Sequence, residues 1–405
     1  MLEAAGFTRL SEQAAWNIVP GGRYFVTRNR SAVVAFAVPE NGLTHCQIVA
    51  SHGDSPTFKL KAHAEGEAAD AYIRLNVERY GGMIMSTWFD KPLSIAGRAL
   101  VRENGRLTTK LVDLERDAAL IPNMPIHFNR DINNGYSYNP QVDMLPLFGD
   151  KDAKGALGAE IAAKAGVPEA DVVARDLFLY NRTPASVWGA HEEFFSCPRI
   201  DDLECAATTL LGFLDASGET DSACAPVWAM FDNEEVGSSS SYLRDVLDRI
   251  LEAVPHSAQA SHRAMANSFM LSADNAHATH PNFPQKSDPC APVRLGGGVV
   301  LKYNASQKYT TNAVSGAIFR AICRKAGVPV QVFTNRADEA GGSTLGNLQS
   351  HTLPIPMADI GCAQFAMHSA VETASVADAE AMTKAVAAFY RVHLRALGDG
   401  TYTLE

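Results

Sequence analysis

The chain has 405 residues, 46% hydrophobic and 20% charged, which excludes a disordered or collagen-like polymer and is long enough for two or three domains with buried cores. Its 35 Lys and Arg against 45 Asp and Glu give a net charge of -10 with no basic cluster able to neutralise a run of phosphates, so no nucleic-acid partner is expected. The longest uninterrupted apolar run, Ala32 to Val38, is far below the roughly 20 residues that cross a bilayer, so no membrane partner is expected either.

Along the chain, MLEAAGFTRLSEQAAW carries early acids and lacks a basic-then-apolar pattern with a small-residue cleavage site, which makes the cytoplasm the expected compartment. Seven cysteines, never in a CxxC pair, argue against a disulfide framework and against a thiolate zinc site. The runs Ala32–Val38 and Cys46–Ala50 are predicted strands, joined across Pro39, Asn41 and Gly42 as a hairpin. Residues 62–194 hold short mixed segments such as TTKLVDL between Gly, Asn and Pro turns, and are predicted to form an inserted β-rich domain between the two parts, 1–61 and 195–405, of the main domain.

From Asp202 the apolar positions Leu203, Ala206, Ala207, Leu210, Leu211 and Leu214 recur at helical spacing and predict a helix that packs this face on a sheet. Strand Val227–Phe231, helix Tyr242–Val254, strands Ser268–Ser272 and Val299–Leu301, helix Asn312–Ala326, strands Val330–Thr334 and Ile355–Ile360, and helix Val376–Leu394 follow. This alternation predicts an α/β three-layer sandwich on a mixed, largely parallel sheet, with ligands beyond the carboxyl ends of the strands.

Five positions at or near those strand ends offer nitrogen or oxygen ligands. His52 in SHGDSPTFKLK has Asp54 two residues on, placed to hold the second ring nitrogen. Asp201 and Asp202 in PRIDDLE precede a helix, where an Asp is also an ordinary cap. Glu234 and Glu235 in FDNEEVGSSS are adjacent carboxylates, which repel unless a cation or shared proton relieves them. Asp274, with His277 and His280 beside it, and His368 in ADIGCAQFAMHSAVE complete the set. Each alone is more ordinary as a structural residue. Together they form an oxygen and nitrogen donor set suited to two divalent ions bridged by one carboxylate.

The segments SHGDSPTFKLK, STWFDKPLSIAGR, IPNMPIHFNR, NPQVDMLPLFG, RIDDL, NEEVGSSS, DNAHATHPNF, LKYNASQKYTTNAVS, GGSTLGN and AMHSAVE resemble, in this order, the aspartyl aminopeptidase family of dinuclear zinc exopeptidases. The resemblance implies two zinc ions per subunit, replaceable by cobalt or manganese, one held by His52, Asp201 and Asp274 and the other by Asp201, Glu235 and His368. It implies Glu234 as general base, a cis peptide between Asp201 and Asp202, peptide substrates with a free N-terminus, and an oligomerisation domain in the insert with a twelve-subunit homo-oligomer. His127 is similar to a family histidine that reaches a neighbouring subunit's site and steadies the oxyanion, with a domain-packing histidine as the alternative. Lys302 and Tyr309 match positions lining the pocket for the first side chain, where an ammonium would favour Asp or Glu; Lys302 can also be an ordinary surface lysine. Glu339 departs from the family pattern and, facing that pocket, would favour neutral or basic residues. Two rivals stand beside this reading: a carboxypeptidase or amide deacylase on a related zinc fold, which needs a cation for the substrate carboxylate, and a non-catalytic assembly protein retaining the fold.

Overall fold

A computed structural model describes residues 1–238, 241–254 and 257–405. The last two serines of NEEVGSSS, Ser239 and Ser240, lie outside the described residues. A nine-stranded mixed sheet forms the frame, in the order Thr8–Leu10, Arg23–Arg28, Ala32–Ala37, Cys224–Phe231, His45–His52, Phe269–Ala273, Met357–Gly361, Val299–Tyr303, Val330–Thr334. Its four central members, from Cys224–Phe231 to Met357–Gly361, run parallel. Every residue of His45–His52 is buried, as a strand covered on both faces requires.

One face carries helices Ile200–Asp215, Ala313–Lys325 and Val376–Arg391, with Phe213, Ile318, Phe319, Met382 and Phe389 in the core. The other carries Tyr242–Ala253, Ala258–Ala266 and Leu345–Ser350, with Leu243, Leu247, Met265 and Leu345. The three-layer α/β architecture agrees with the sequence reading, and the strand Val330–Thr334 has the expected bounds. The Asn312–Ala326 helix begins at a capping box, Asn312 accepting from the Val314 and Ser315 N–H groups.

The hairpin expected between Ala32–Val38 and Cys46–Ala50 does not form. Strand Cys224–Phe231 lies between them, antiparallel to the first and parallel to the second. The Pro39–Gly42 turn docks on the approaching chain instead, the Asn41 and Thr44 N–H groups donating to the Ser222 and Ala223 carbonyls. The hairpin partner of Ala32–Ala37 is Arg23–Arg28.

A six-stranded antiparallel sheet, ordered Arg106–Asp113, Leu93–Glu103, Val172–Asn181, Thr57–Ala68, Tyr72–Tyr80, Leu147–Asp150, has its own core around Phe58, Leu75, Ile95, Val101 and Leu179. Its strands fall between Thr57 and Asn181. Strand Ser186–Trp188, within the segment 62–194, pairs instead with Phe194–Cys197 in a third, five-stranded sheet that includes Ala276–His277, Ala363–Phe365 and Glu372–Ser375. Among the described residues no helix is long and apolar enough to cross a membrane.

The Ile200–Asp215 helix packs only part of the face that its leucines suggested: Ala206 is buried, and Leu210 and Leu214 lie against the core. Cys205, Thr209 and Gly212 are buried while Leu203 and Leu211 face out, Leu211 at 46% exposure. Thr209 accepts from the Trp228 indole N–H at 2.9 Å. A Cβ on Gly212 would stand 2.7 Å from the Thr383 carbonyl oxygen, so glycine lets the Val376–Arg391 helix approach there.

Candidate metal centre

The central parallel strands deliver their carboxyl ends to one place. His52 ends its strand, Asp274 follows Ala273, Glu234 and Glu235 form the short turn after Phe231, and His368 lies in the loop after Ala363–Phe365. Asp201 enters from the start of the Ile200–Asp215 helix, across a cis peptide to Asp202.

Two overlapping groups of donors result. His52, Asp201, Asp202 and Asp274 offer ligand atoms within 4.8 Å of one another, and so do Asp201, Glu235 and His368. Asp201 belongs to both: Oδ1 is 3.5 Å from His52 Nε2, and Oδ2 is 3.3 Å from His368 Nε2. His368 Nε2 is also 3.4 Å from Glu235 Oε2. Glu234 stands outside both groups, with Oε2 4.0 Å from His52 Nε2.

The surroundings fix these side chains. His52 Nδ1 lies 3.1 Å from the Asp54 carbonyl oxygen, which with that nitrogen protonated leaves Nε2 facing Asp201. The Asp54 carboxylate accepts from the Tyr80 hydroxyl at 2.7 Å and from the Glu234 and Glu235 N–H groups at 3.2 and 3.1 Å. Burial raises the Asp54 pKa, but hydrogen bonds from His52, Tyr80 and the Glu235 backbone outweigh it and hold the carboxyl below its ordinary value. Gly81, beside Tyr80, has φ +73°, and a Cβ there would lie 3.1 Å from Glu235 Cβ.

The donor set fits a divalent metal. Asp201 Oδ1, Asp202 Oδ1 and Glu235 Oε1 are buried and lack hydrogen-bond partners among the described residues. Burial, then the charge of Asp274, pushes Glu234 up to about 7; burial, then Asp201, pushes Glu235 up to about 10. Crowded carboxylates raise one another in this way when no cation lies among them. Carboxylate and imidazole donors without thiolate match hard-to-borderline ions, zinc included.

A cavity of about 440 Å³ opens onto the donors and is walled by His277, Lys302, Tyr309, Phe333, Leu348 and Met367, among others. Another, of about 360 Å³, lies behind Asp54 and Glu372 among Lys59, Arg98 and Tyr180, and its walls carry no histidine. The chemistry therefore belongs to the first.

Lys302 is 2% exposed, which excludes the surface-lysine reading. Its ammonium is also not held free for a substrate carboxylate: Nζ donates to the Asp274 and Asn275 carbonyl oxygens at 2.6 and 3.2 Å and stands 3.5 Å from Asp274 Oδ1. Burial lowers its pKa, but Asp274 and Asp359 reverse this and keep it charged. The expectation that Glu339 faces this pocket is corrected. Glu339 pairs with Lys286 at 2.5 Å and lines a separate cavity with Lys308 and Arg336. The turn from Arg336, closed by the Glu339 N–H to the Arg336 carbonyl, directs it there. His127 is exposed beside Phe128, itself 82% exposed, and is not part of this chain's cavity wall.

Asp202, named with Asp201 in the sequence, joins the first donor group, and its Oδ2 accepts from the His52 N–H at 3.2 Å. Three participants escaped the sequence reading. Tyr80 arrives from the six-stranded sheet, and no local pattern marks it. Glu372 accepts from the Asp201 and His368 N–H groups at 3.0 and 2.7 Å. Asn275, next to Asp274, donates from Nδ2 to the Ile200 carbonyl at 3.3 Å, a backbone partner that its residue type does not reveal.

Comparison with known proteins gives the same direction. The family model described as Aminopeptidase I zinc metalloprotease (M18) matches residues 1–390. A Clostridium acetobutylicum protein named probable M18 family aminopeptidase 2 is 41% identical over 401 residues, covering 96% of this chain and 92% of the relative. A Pseudomonas aeruginosa protein of the same name is 37% identical over 402 residues, with the same two coverages. Among solved structures, the cryo-EM structure of the Ape4 and Nbr1 complex superposes with a TM-score of 0.92 at 32% identity, covering 96% of this chain and 80% of that one. The S. cerevesiae mApe1 dodecamer gives 0.83 at 25%, covering 96% and 90%.

Proposed function

Because the chain belongs to the M18 family of zinc metalloproteases and is an aminopeptidase of that family, we propose that it releases the N-terminal residue of unblocked peptides with two zinc ions per subunit. His52, Asp201 and Asp274 would hold one ion, and Asp201, Glu235 and His368 the other; cobalt or manganese would fit the same donors. The observation that carries this reading is Asp201, whose two carboxylate oxygens face two different imidazoles. Zinc bound there would lower the pKa of water and polarise the scissile carbonyl.

The chain's own groups do the rest. Glu234, outside both donor groups and on the cavity wall, takes a proton from water and returns it to the leaving amine. Asp54 holds His52 in one tautomer, and Lys302 offsets the charge of Asp274. His127 would steady the oxyanion in a neighbouring copy, and residues 62–194 would supply the oligomerisation domain of a homo-oligomer, of twelve subunits if it assembles as the solved mApe1 dodecamer does. The exposed Met124, Ile126 and Phe128 beside His127 in the chain support such a contact.

For the first residue, the resemblance favours Asp or Glu, with Lys302 and Tyr309 in the wall. A second reading, a neutral side chain, is favoured by the satisfied Lys302 ammonium and by Phe333, Leu348 and Met367 beside it. The test is metal analysis of the purified protein together with kcat/KM for Asp-, Glu-, Leu- and Lys-initiated peptides, free and N-acetylated. Two ions and cleavage confined to free N-termini are expected, and full activity with one ion would overturn the bridged site. Leu-initiated substrates ahead of Asp would select the second reading. Glu339→Ala is expected to leave the ranking unchanged.

A further inference from the structure

The peptide unit joining Ile200 to Asp201 is held at both ends. Its N–H donates to Glu372 Oε2 at 3.0 Å, and its carbonyl oxygen accepts from Asn275 Nδ2 at 3.3 Å. Those two holders are joined by a third side chain: Gln364 Oε1 accepts from Asn275 Nδ2 at 2.6 Å, and Gln364 Nε2 donates to Glu372 Oε1 at 3.3 Å. The result is a closed ring of polar contacts passing through the backbone of the residue shared by both donor groups.

The ring is buried throughout, Gln364 being 1% exposed. Asn275 is engaged further, with Nδ2 3.1 Å from Glu204 Oε2 and Oδ1 accepting from Cys205 Sγ at 2.9 Å and the Cys362 N–H at 3.3 Å. Glu372 also accepts the His368 N–H, so one carboxylate holds the backbones of two candidate ligands. Gln364 can stand between an amide donor and a carboxylate because its own two ends differ. Its strand, Ala363–Phe365, pairs with Ala276–His277 on one side and Glu372–Ser375 on the other, which brings both partners within reach.

We infer that Gln364 is a positioning residue: by joining Asn275 to Glu372 it fixes the Ile200–Asp201 peptide and thereby the placement of the Asp201 carboxylate between the two ion positions. This rests on the two-ion reading above. A bridging carboxylate must satisfy both ions at once, and rotation of the peptide that carries it moves its two oxygens together, away from one site as they approach the other. Holding that peptide at both its N–H and its carbonyl removes the rotation. Among the described residues Gln364 hydrogen-bonds to Asn275 and Glu372 rather than to a candidate ligand side chain, and it is not among the cavity's wall residues.

The experiment uses the full-length protein stripped of metal, Gln364→Met as the variant, and Gln364→Asn as a milder one that keeps the amide but withdraws it by one methylene. Zinc affinity is measured by chelator competition, and melting temperature is measured without metal. Groups that orient ligands change metal affinity by about 10- to 100-fold when removed. The expected result is a loss of that size in at least one of the two zinc affinities, larger for Gln364→Met, beside whatever fall in metal-free melting temperature the two lost buried hydrogen bonds bring. Wild-type zinc affinities with a lowered metal-free melting temperature would overturn the inference and leave Gln364 as a packing residue. Should Gln364→Met not fold, Gln364→Asn decides between the same two results. A wild type that binds only one zinc would instead overturn the two-ion reading, whatever the variants do.

Discussion

Lys302 and Glu234 are each close to the donor groups, yet their surroundings assign them different work. The Lys302 ammonium lies among protein oxygens, so Lys302→Met would leave the Asp274 carboxylate and two carbonyls facing an apolar side chain. Loss of one partner of a buried pair costs about 3–5 kcal/mol. Urea unfolding of metal-free protein is expected to show a loss of that order, and a change below about 0.5 kcal/mol would mean that Lys302 is not the partner Asp274 needs. Glu234→Gln should keep zinc, since neither donor group uses Glu234, and should lower kcat by about 10²- to 10⁴-fold. Near-wild-type turnover with zinc retained would place the base elsewhere. The candidate ligands were legible in the sequence because carboxylate and imidazole at strand ends carry chemistry by type. Glu339 was misread because its direction depends on a turn and on Lys286, neither of which its residue type reveals.

Within single elements, periodicity located helices and strands better than it located their inward faces. The Ile200–Asp215 helix was legible as a helix, but its inward face is rotated from the leucine stripe: Leu203 and Leu211 face out, while Cys205, Thr209 and Phe213 pack inward beside Ala206, Leu210 and Leu214. Leu211→Ser should change the stability of a single subunit by no more than about 0.5 kcal/mol. Thr209→Val, which leaves the buried Trp228 N–H without its acceptor, should cost about 1–3 kcal/mol. Denaturant titration of both variants in parallel checks the orientation, and the reverse ranking would contradict it. In the six-stranded sheet, Asp176 on Val172–Asn181 pairs with Lys59 and Arg98 on the two flanking strands, at 2.9 and 3.0 Å. The hydrogen bond from Lys59, opposed by burial and aided by Arg98, holds its pKa below the ordinary value. A carboxyl lowered in the folded state adds stability above its unfolded pKa of about 3.9, and that stability is lost as pH falls through the lower folded value. Asp176→Asn should therefore flatten the acid limb of a melting-temperature profile below about pH 4. All three side chains are more than a third exposed, so the effect should stay under about 1 kcal/mol. An unchanged acid limb would show that the cross-strand pair contributes nothing.

For the molecule as a whole, the alternation of strands and helices made the three-layer frame legible, whereas strand order was not. Nothing local shows that Cys224–Phe231 slips between two strands that precede it by more than a hundred residues. Tyr80 was hidden for a related reason: it belongs to one sheet and serves the centre of another. Because the donor groups repel one another without a cation, chelation should lower the melting temperature and added zinc should restore it. A ligand at 100 times its Kd contributes about 2.7 kcal/mol per site, and melting curves across a zinc titration measure it. A melting temperature indifferent to chelator would argue against ions at this centre. The strand order has a further consequence for how the protein is made. His52 is synthesised early, but its neighbours Phe269–Ala273 and Cys224–Phe231 come much later, and the second donor group is incomplete until His368. A nascent or truncated chain that stops short of His368 therefore cannot assemble both ion sites. A chain ending between Asp274 and His368 would carry the first donor group alone, so a second bound ion would report that the chain extends past His368.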